Sequence, residues 1–306
     1  AIDFTHDRVR GTLEAKQPKY WEKAVDTYAE YLPAGGPRER RVPMAPSTVI
    51  EESTDEKHKQ AKHLPYRELI GTINFGAVHT KLEVRYALSL LARHMTNWTK
   101  QHFELAVKLL EYCWTTREIG IIWSRGLDPH GVNVLSAYSD SNWAAPRSQG
   151  CHLVSMNGGP ITYVSAKHTT TDTSTMAAEL TEMYKTSVDI AGMRNLCKEV
   201  GCEQTRPTEL NYDNQPAGRV AESRGSLQTK SKHMDLRVYY LRQKVEDDEV
   251  ALKWCETTKM IADLGTKLLP EDQFVFLRDL MNGYALVKAA GHQDVPAGVF
   301  QVSKRT

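Results

Sequence analysis

Around Gly126 to His130 the apolar residues change their spacing from one that suits helices to one that suits strands, so the two sides must pack differently. Upstream, Tyr66, Leu69, Ile70 and Ile73 form one stripe, Val84, Ala87, Leu88 and Leu91 a second, and Phe103, Ala106, Val107 and Leu110 a third. Such stripes need a partner surface, so the three helices pack on one another or on a neighbour. The third starts at Asn97 or Thr99, and the run Ile119 to Trp123 after it reads as a strand. Downstream, Val132 to Tyr138, Cys151 to Met156 and Ile161 to Ser165, separated by turn-rich segments, predict a three-stranded antiparallel meander. A helix from about Ser174 to Val200, a strand Glu209 to Tyr212, a helix after Asn214, a longer one from Ser231 to Val245 and a strand Val250 to Trp254 follow. Helices over Met260 to Leu268 and Glu271 to Met281 end the series. That order specifies an α/β fold, a mixed five-stranded sheet with helices on both faces, preceded by a small helical module.

The N-terminal signal is weaker. Tyr20, Trp21, Ala24, Val25, Tyr28 and Leu32 suggest one amphipathic helix, stopped by Pro33, Gly35, Gly36 and Pro37. Arg38, Arg40 and Arg41, then Pro43, Pro46 and the charged run Glu51 to Lys62, read as an extended or partly disordered linker; a solvated surface is its first reading, a basic arm its second. Gly291 to Thr306 reads as a loosely held tail.

The 306 residues suffice to bury a core, and 39 Lys plus Arg against 38 Asp plus Glu leave no global basic field. Five cysteines without a Cys-x-x-Cys pair speak against a disulfide framework or a zinc knuckle, and so for an intracellular, reducing compartment, with cytoplasm, nucleus and organelle all open. The sequence has no run long and apolar enough for a membrane span and no secretory signal, so no membrane partner is expected. Ala1 at the start is compatible with processing, trimming or excision from a polyprotein, and with a removed targeting peptide.

Acidic residues mark the strand-to-helix junctions. Asp140 ends the first strand of the meander series, Asp213 ends the fourth, Asp263 lies near the start of a C-terminal helix, and Glu179 sits in the helix after the meander beside the small Ala177 and Ala178. Taken singly, each is more often a helix cap or a surface charge. Brought together at adjacent strand ends, they repel unless a cation sits between them, and magnesium suits oxygen ligands. Two such ions roughly 3.5 to 4 Å apart activate water and stabilise a leaving oxygen in phosphodiester hydrolysis.

Several strings sharpen this reading: Pro-Tyr-Arg-Glu-Leu-Ile-Gly at 65 to 71, Thr-Lys-Gln-His-Phe-Glu at 99 to 104, Tyr-Ser-Asp-Ser-Asn-Trp-Ala at 138 to 144, and Thr-Ser-Thr-Met-Ala-Ala-Glu-Leu at 173 to 180. Further on come Tyr-Asp-Asn-Gln-Pro-Ala at 212 to 217, Thr-Lys-Ser-Lys-His-Met-Asp-Leu-Arg at 229 to 237 and Ile-Ala-Asp-Leu-Gly-Thr-Lys at 261 to 267. In their order and spacing they resemble the end of the Pol polyprotein of Ty1/copia-type LTR retrotransposons, the reverse-transcriptase tail or connection followed by a ribonuclease H domain. The resemblance implies a ribonuclease H-like fold over 130–285, a helical connection or thumb-like module over 65–129, an N-terminal helix and linker over 1–64 and a tail over 286–306. It implies a metal-dependent endonuclease that cleaves the RNA strand of RNA–DNA hybrids, with Asp140, Glu179, Asp213 and Asp263 as catalytic and metal-binding residues. Two Mg2+ ions are expected, with Mn2+ as substitute: Asp140 bridges both, Glu179 and Asp213 hold one, and Asp263 completes the other. Asn142, Asn214, Lys232, His233 and Arg237 are the implied substrate contacts, His233 having a structural hydrogen bond as its alternative role. A reverse-transcriptase polymerase domain or a larger protein assembly is the implied protein partner.

The chain also departs from the pattern. Thr175-Met176-Ala177-Ala178-Glu179 stands for the usual Ser-Thr-Glu-Ala-Glu, Leu268 replaces the usual Pro, and Gly265 inside the expected helix costs about 1 kcal/mol relative to Ala. The Tyr-x-Asp-Asp string of a polymerase palm is absent, so no reverse transcriptase activity is expected of this chain alone. It is either a fragment of an element or a host-adopted protein, and the alternative function is a catalytically silent structural subunit.

Overall fold

The computed structural model describes residues 1–223 and 232–291, with 232–235 as main chain only. They form two compact units, one made of Ala1–Ile122 and the chain from Leu268 onward, the other of Trp123–Lys267.

The first unit opens with a hairpin that apolar spacing did not announce, β1 (Asp3–Asp7) and β2 (Thr12–Lys16). Its turn is built from polar contacts: the Asp7 carboxylate accepts from the Val9 and Arg10 amides, and Gly11 takes φ 66. Then comes the expected amphipathic helix, α1 (Pro18–Thr27), which buries Trp21 completely. The Trp21 ring fills the space beside Gly76, where a Cβ would lie 2.1 Å from it.

The linker is more ordered than its charge suggested. Its main chain is pinned by side chains of the later helix Lys100–Thr115, the Arg38 amide donating to Glu111 and the Glu51 amide to Gln101, while Arg40 and Arg41 pair with Glu111 and Glu271. Residues Asp55–Ala61 form a helix, α2, capped by the Thr54 hydroxyl, which accepts from the Lys57 amide. The three striped helices are present as α3 (Tyr66–Ala77), α4 (Arg85–Ala92) and α5 (Lys100–Thr115). Thr99 starts α5 through a capping box with His102. The strand that follows, β3 (Ile121–Ser124), completes a three-stranded sheet in the order β1-β2-β3.

The second unit is the α/β fold. β4 (Leu135–Asn142), β5 (Gln149–Met156) and β6 (Gly159–Lys167) form the antiparallel meander. α6 (Thr175–Glu199) leads to β7 (Thr208–Tyr212), and α7 (Gln215–Glu222) and α8 (Lys232–Glu246) to β8 (Val250–Trp254). The strand order is β6-β5-β4-β7-β8, with β4, β7 and β8 parallel. A mixed five-stranded sheet with this order, flanked by helices on both faces and preceded by a helical module, is a ribonuclease H-like fold. Its main core joins Leu135, Ala137 and Val154 of the sheet to Leu180, Met183 and Ile190 of α6 and to Val238 and Leu241 of α8.

The segment expected as a helix over Met260 to Leu268 is instead a 3-10 helix, Ile261–Gly265, buried at all five residues. Gly265 is required there rather than merely tolerated, because a Cβ would lie 2.3 Å from Cys151 Sγ and 2.8 Å from the Tyr163 hydroxyl oxygen. The chain then returns to the first unit as α9 (Glu271–Met281) and α10 (Tyr284–Ala289).

Candidate metal centre

Parallel strands end on the same edge of a sheet, and that is how two acids far apart in sequence meet. β4 and β7 are parallel neighbours, Ala137 lying beside Leu210, so Asp140 and Asp213 come out at one edge. Asp140 is within β4 rather than at its end, opposite Cys151 of β5. Asp213 follows β7 directly, and Asn214 caps α7, its side-chain oxygen accepting from the Ala217 amide at 3.0 Å. The third acid comes from α6: Ser174 caps this helix, accepting from the Ala177 amide at 3.1 Å, and so fixes Glu179 in its second turn.

One carboxylate oxygen from each of Asp140, Glu179 and Asp213 lies within 4.8 Å of the other two. Asp140 is 2% exposed and Glu179 3%, so little water screens the repulsion. Burial, then the Asp140 and Asp213 charges, push the Glu179 carboxyl far above the usual range, and among the described residues its Oε2 has no hydrogen-bond partner. Burial and Asp140 also raise Asp213, against the Thr257 hydroxyl, which donates to its Oδ2 at 2.9 Å. Three carboxylates this close, one of them buried with an oxygen that has no partner among the described residues, fit a hard divalent cation.

Asp263 stands beside this trio and reaches it through a cation of the chain itself. Lys267 Nζ lies 2.8 Å from Asp263 Oδ1 and 3.5 Å from Asp140 Oδ2. The Thr266 hydroxyl also donates to Asp140 Oδ2. Burial and Asp140 hold the Asp263 carboxyl above its usual range, with Lys267 opposing; burial lowers Lys267, but Asp140 and Asp263 outweigh it and raise its pKa.

Beyond the acids, Trp254 is half-exposed at the end of β8 and donates its indole N–H to the Asp213 carbonyl at 3.2 Å. Trp143, also half-exposed, donates to the Asp172 carbonyl at 3.0 Å.

The chain is similar to one stretch of transposon Pol polyproteins. It is 25% identical over 92% of its length to the retrovirus-related Pol polyprotein from transposon TNT 1-94 of Nicotiana tabacum, covering 21% of that protein. It is 27% identical over 76% of its length to that from transposon RE1 of Arabidopsis thaliana, covering 16% of it. With the Ty1-DR1 Gag-Pol polyprotein of Saccharomyces cerevisiae the identity is 24% over 78% of the chain and 14% of the relative. The chain thus spans about a fifth or less of the curated relatives it matches. No protein-family model matches. Among solved structures, LC11-RNase H1, isolated from compost by a metagenomic approach, aligns at 14% identity and a TM-score of 0.33 over 43% of the chain and 91% of its own. The foamy viral protease-reverse transcriptase dRH with ds DNA aligns at 14% identity and 0.40, over 83% and 38%.

Of the other residues singled out in the sequence, Asn142 is exposed at the end of β4. Arg237 donates to the Thr181 and Thr170 hydroxyls at 2.8 and 3.3 Å. The side chains of Lys232 and His233 lie outside the described residues. A buried network that sequence reasoning missed stands behind the acids. Glu182, one turn after Glu179 on α6, accepts from His152 Nδ1 at 2.6 Å, His168 Nε2 at 2.8 Å and Lys185 Nζ at 2.9 Å. His168 Nδ1 meets Asp172 at 2.6 Å, and Asp172 accepts from Thr181, the hydroxyl that Arg237 also holds. The network needs Gly150, where a Cβ would lie 2.1 Å from Glu182 Oε2. Burial opposes charge on Glu182, yet the two imidazoles and Lys185 drive its carboxyl far below the usual range.

Proposed function

We propose that this chain is a metal-dependent endonuclease that cleaves the RNA strand of RNA–DNA hybrids. The observation that carries it is the convergence of Asp140, Glu179 and Asp213, with a Glu179 oxygen that has no partner among the described residues, set on a ribonuclease H-like sheet. Asp140, Glu179 and Asp213 would hold one divalent ion, and Asp140 with Asp263 would face the second of two. Mg2+ is the natural occupant, with Mn2+ as substitute. Bound there, the ions supply a water of lowered pKa and neutralise charge developing on the phosphate.

The chain's own residues do the rest. Thr257 holds the Asp213 carboxylate, Trp254 holds the Asp213 main-chain carbonyl, and Thr266 orients the carboxylate of Asp140. Trp254 and Trp143 keep their indole N–H groups on main-chain carbonyls, so each half-exposed ring can meet a base or ribose. Asn142, Asn214 and Arg237 remain proposed contacts to the hybrid, read by groove shape and 2′-hydroxyls. Lys232 and His233 are proposed with them on the sequence alone. The similarity to Pol polyproteins supports an origin in a retrotransposon, with a polymerase domain as a proposed partner.

Cleavage of a labelled RNA–DNA hybrid in Mg2+, compared with Asp140→Asn, tests the reading. We expect RNA-strand cuts from the natural chain and at least a hundredfold loss in the variant. No cleavage, or equal cleavage by the variant, refutes it. One observation favours the alternative of a catalytically silent subunit: an ammonium already lies on the Asp140–Asp263 side.

A further inference from the structure

The acidic cluster is lopsided. On the Asp263 side the negative charge is already answered: Lys267 Nζ contacts both Asp263 and Asp140, and Thr266 donates to the same Asp140 oxygen. On the Glu179 side, Glu179 Oε2 has no partner among the described residues at 3% exposure. The placement of Lys267 follows from the local chain. The Thr266 and Lys267 amides both donate to the Asp263 carbonyl, at 3.2 and 3.0 Å, closing a turn that returns the lysine over the carboxylate four residues before it. Gly265 allows that turn to sit directly on Cys151.

A divalent ion placed between the Asp140 and Asp263 carboxylates would compete for the position from which the ammonium already contacts both. The two cations also repel, a repulsion partly screened because the Lys267 side chain is 34% exposed. Both cannot be present at once.

We infer that Lys267 is the resident of the second cation position, so that the chain takes one divalent ion, on Asp140, Glu179 and Asp213, and a second enters only by displacing the lysine. This rests on the metal centre of the proposed function and narrows it. Lys267 acts there as a fixed monovalent charge and as a barrier to the second ion.

Mn2+ binding to the full chain, followed by the electron paramagnetic resonance signal of the free ion and by calorimetry, tests it. The natural chain should bind one Mn2+ tightly, Lys267→Met two, and Lys267→Arg one. Two ions of similar affinity in the natural chain, or none, overturn the inference, as does a folded Lys267→Met that still binds one. If circular dichroism shows Lys267→Met unfolded, the count in the natural chain decides alone. Hybrid cleavage is read separately: its absence beside a count of one sinks the nuclease reading and leaves the lysine's placement standing, whereas cleavage beside a count of two does the reverse.

Discussion

Deprotonating His152 should cost the folded protein about 2 to 3 kcal/mol as the pH rises from 6.5 towards 9. Burial disfavours the imidazolium, but hydrogen bonds to Asp189 and Glu182, and their charges, more than reverse this and raise its pKa from 6.5 to about 9. At about 1.4 kcal/mol per tenfold change in proton affinity, that difference amounts to roughly 3 kcal/mol. Solvent screening trims it, because the Asp189 side chain is 37% exposed. The sign follows from linkage: a histidine bound more tightly to its proton in the folded state stabilises fully below its unfolded pKa and ceases to do so above its folded one. Urea unfolding from pH 6 to 9.5, run on the natural chain and on His152→Gln, measures it. Glu179 and Asp263, whose pKa values are raised, also shed stability on the alkaline side, but they do so in both proteins and cancel in the difference. Parallel profiles for the two proteins would refute the assignment of charge to His152.

Mg2+ or Mn2+ should raise the thermal midpoint in a concentration-dependent way, and Glu179→Gln should raise the metal-free midpoint by several degrees while abolishing most of that response. A metal-free variant no more stable than the natural chain counts against the repulsion argued for the trio. Gly265→Ala should destabilise by about 1 to 3 kcal/mol despite alanine's better helix propensity, since the new methyl overlaps Cys151. Adding Cys151→Ala should recover part of the loss, and calorimetry showing a neutral Gly265→Ala contradicts the close approach.

Apolar spacing carried the helices α3 to α5, the meander and the strands β7 and β8, because each buries one face or both. It failed where burial is one-sided and slight. In β1, Phe4 is 65% exposed, and in α2 the buried residue is Ala61, so neither element has a stripe to read. The 3-10 helix was taken for a longer helix because all five of its residues are buried, which erases the period. Strand β4 runs to Asn142, past the expected Tyr138: Ser139, Asp140 and Ser141 are poor strand formers, and their pairing with β5 overrides propensity. The acids were only weakly marked by their place near strand-to-helix junctions, where each taken singly reads as a cap or a surface charge; the family strings picked out all four, and the structure brings Asp140, Glu179 and Asp213 together. The Glu182 network was not, since its members come from β5, α6 and the connection between β6 and α6, and nothing in a single string marks buried polar partners. Lys267 lay in plain view within its string, but only distances tell a cation that occupies a site from one that borders it.

Glu179 and Glu182 occupy neighbouring turns of one helix yet face opposite fates. Glu182 is held by two imidazoles and an ammonium and anchors the fold; Glu179 is an acid that weakens the fold it belongs to. Under the proposed function, a copy of this chain released from chemistry but still needed as a scaffold would gain by trading Glu179 for an amide or an apolar side chain and lose by altering Glu182. Change in such a copy would run in a set order, with Glu179 drifting first and His152, Glu182 and Gly150 persisting.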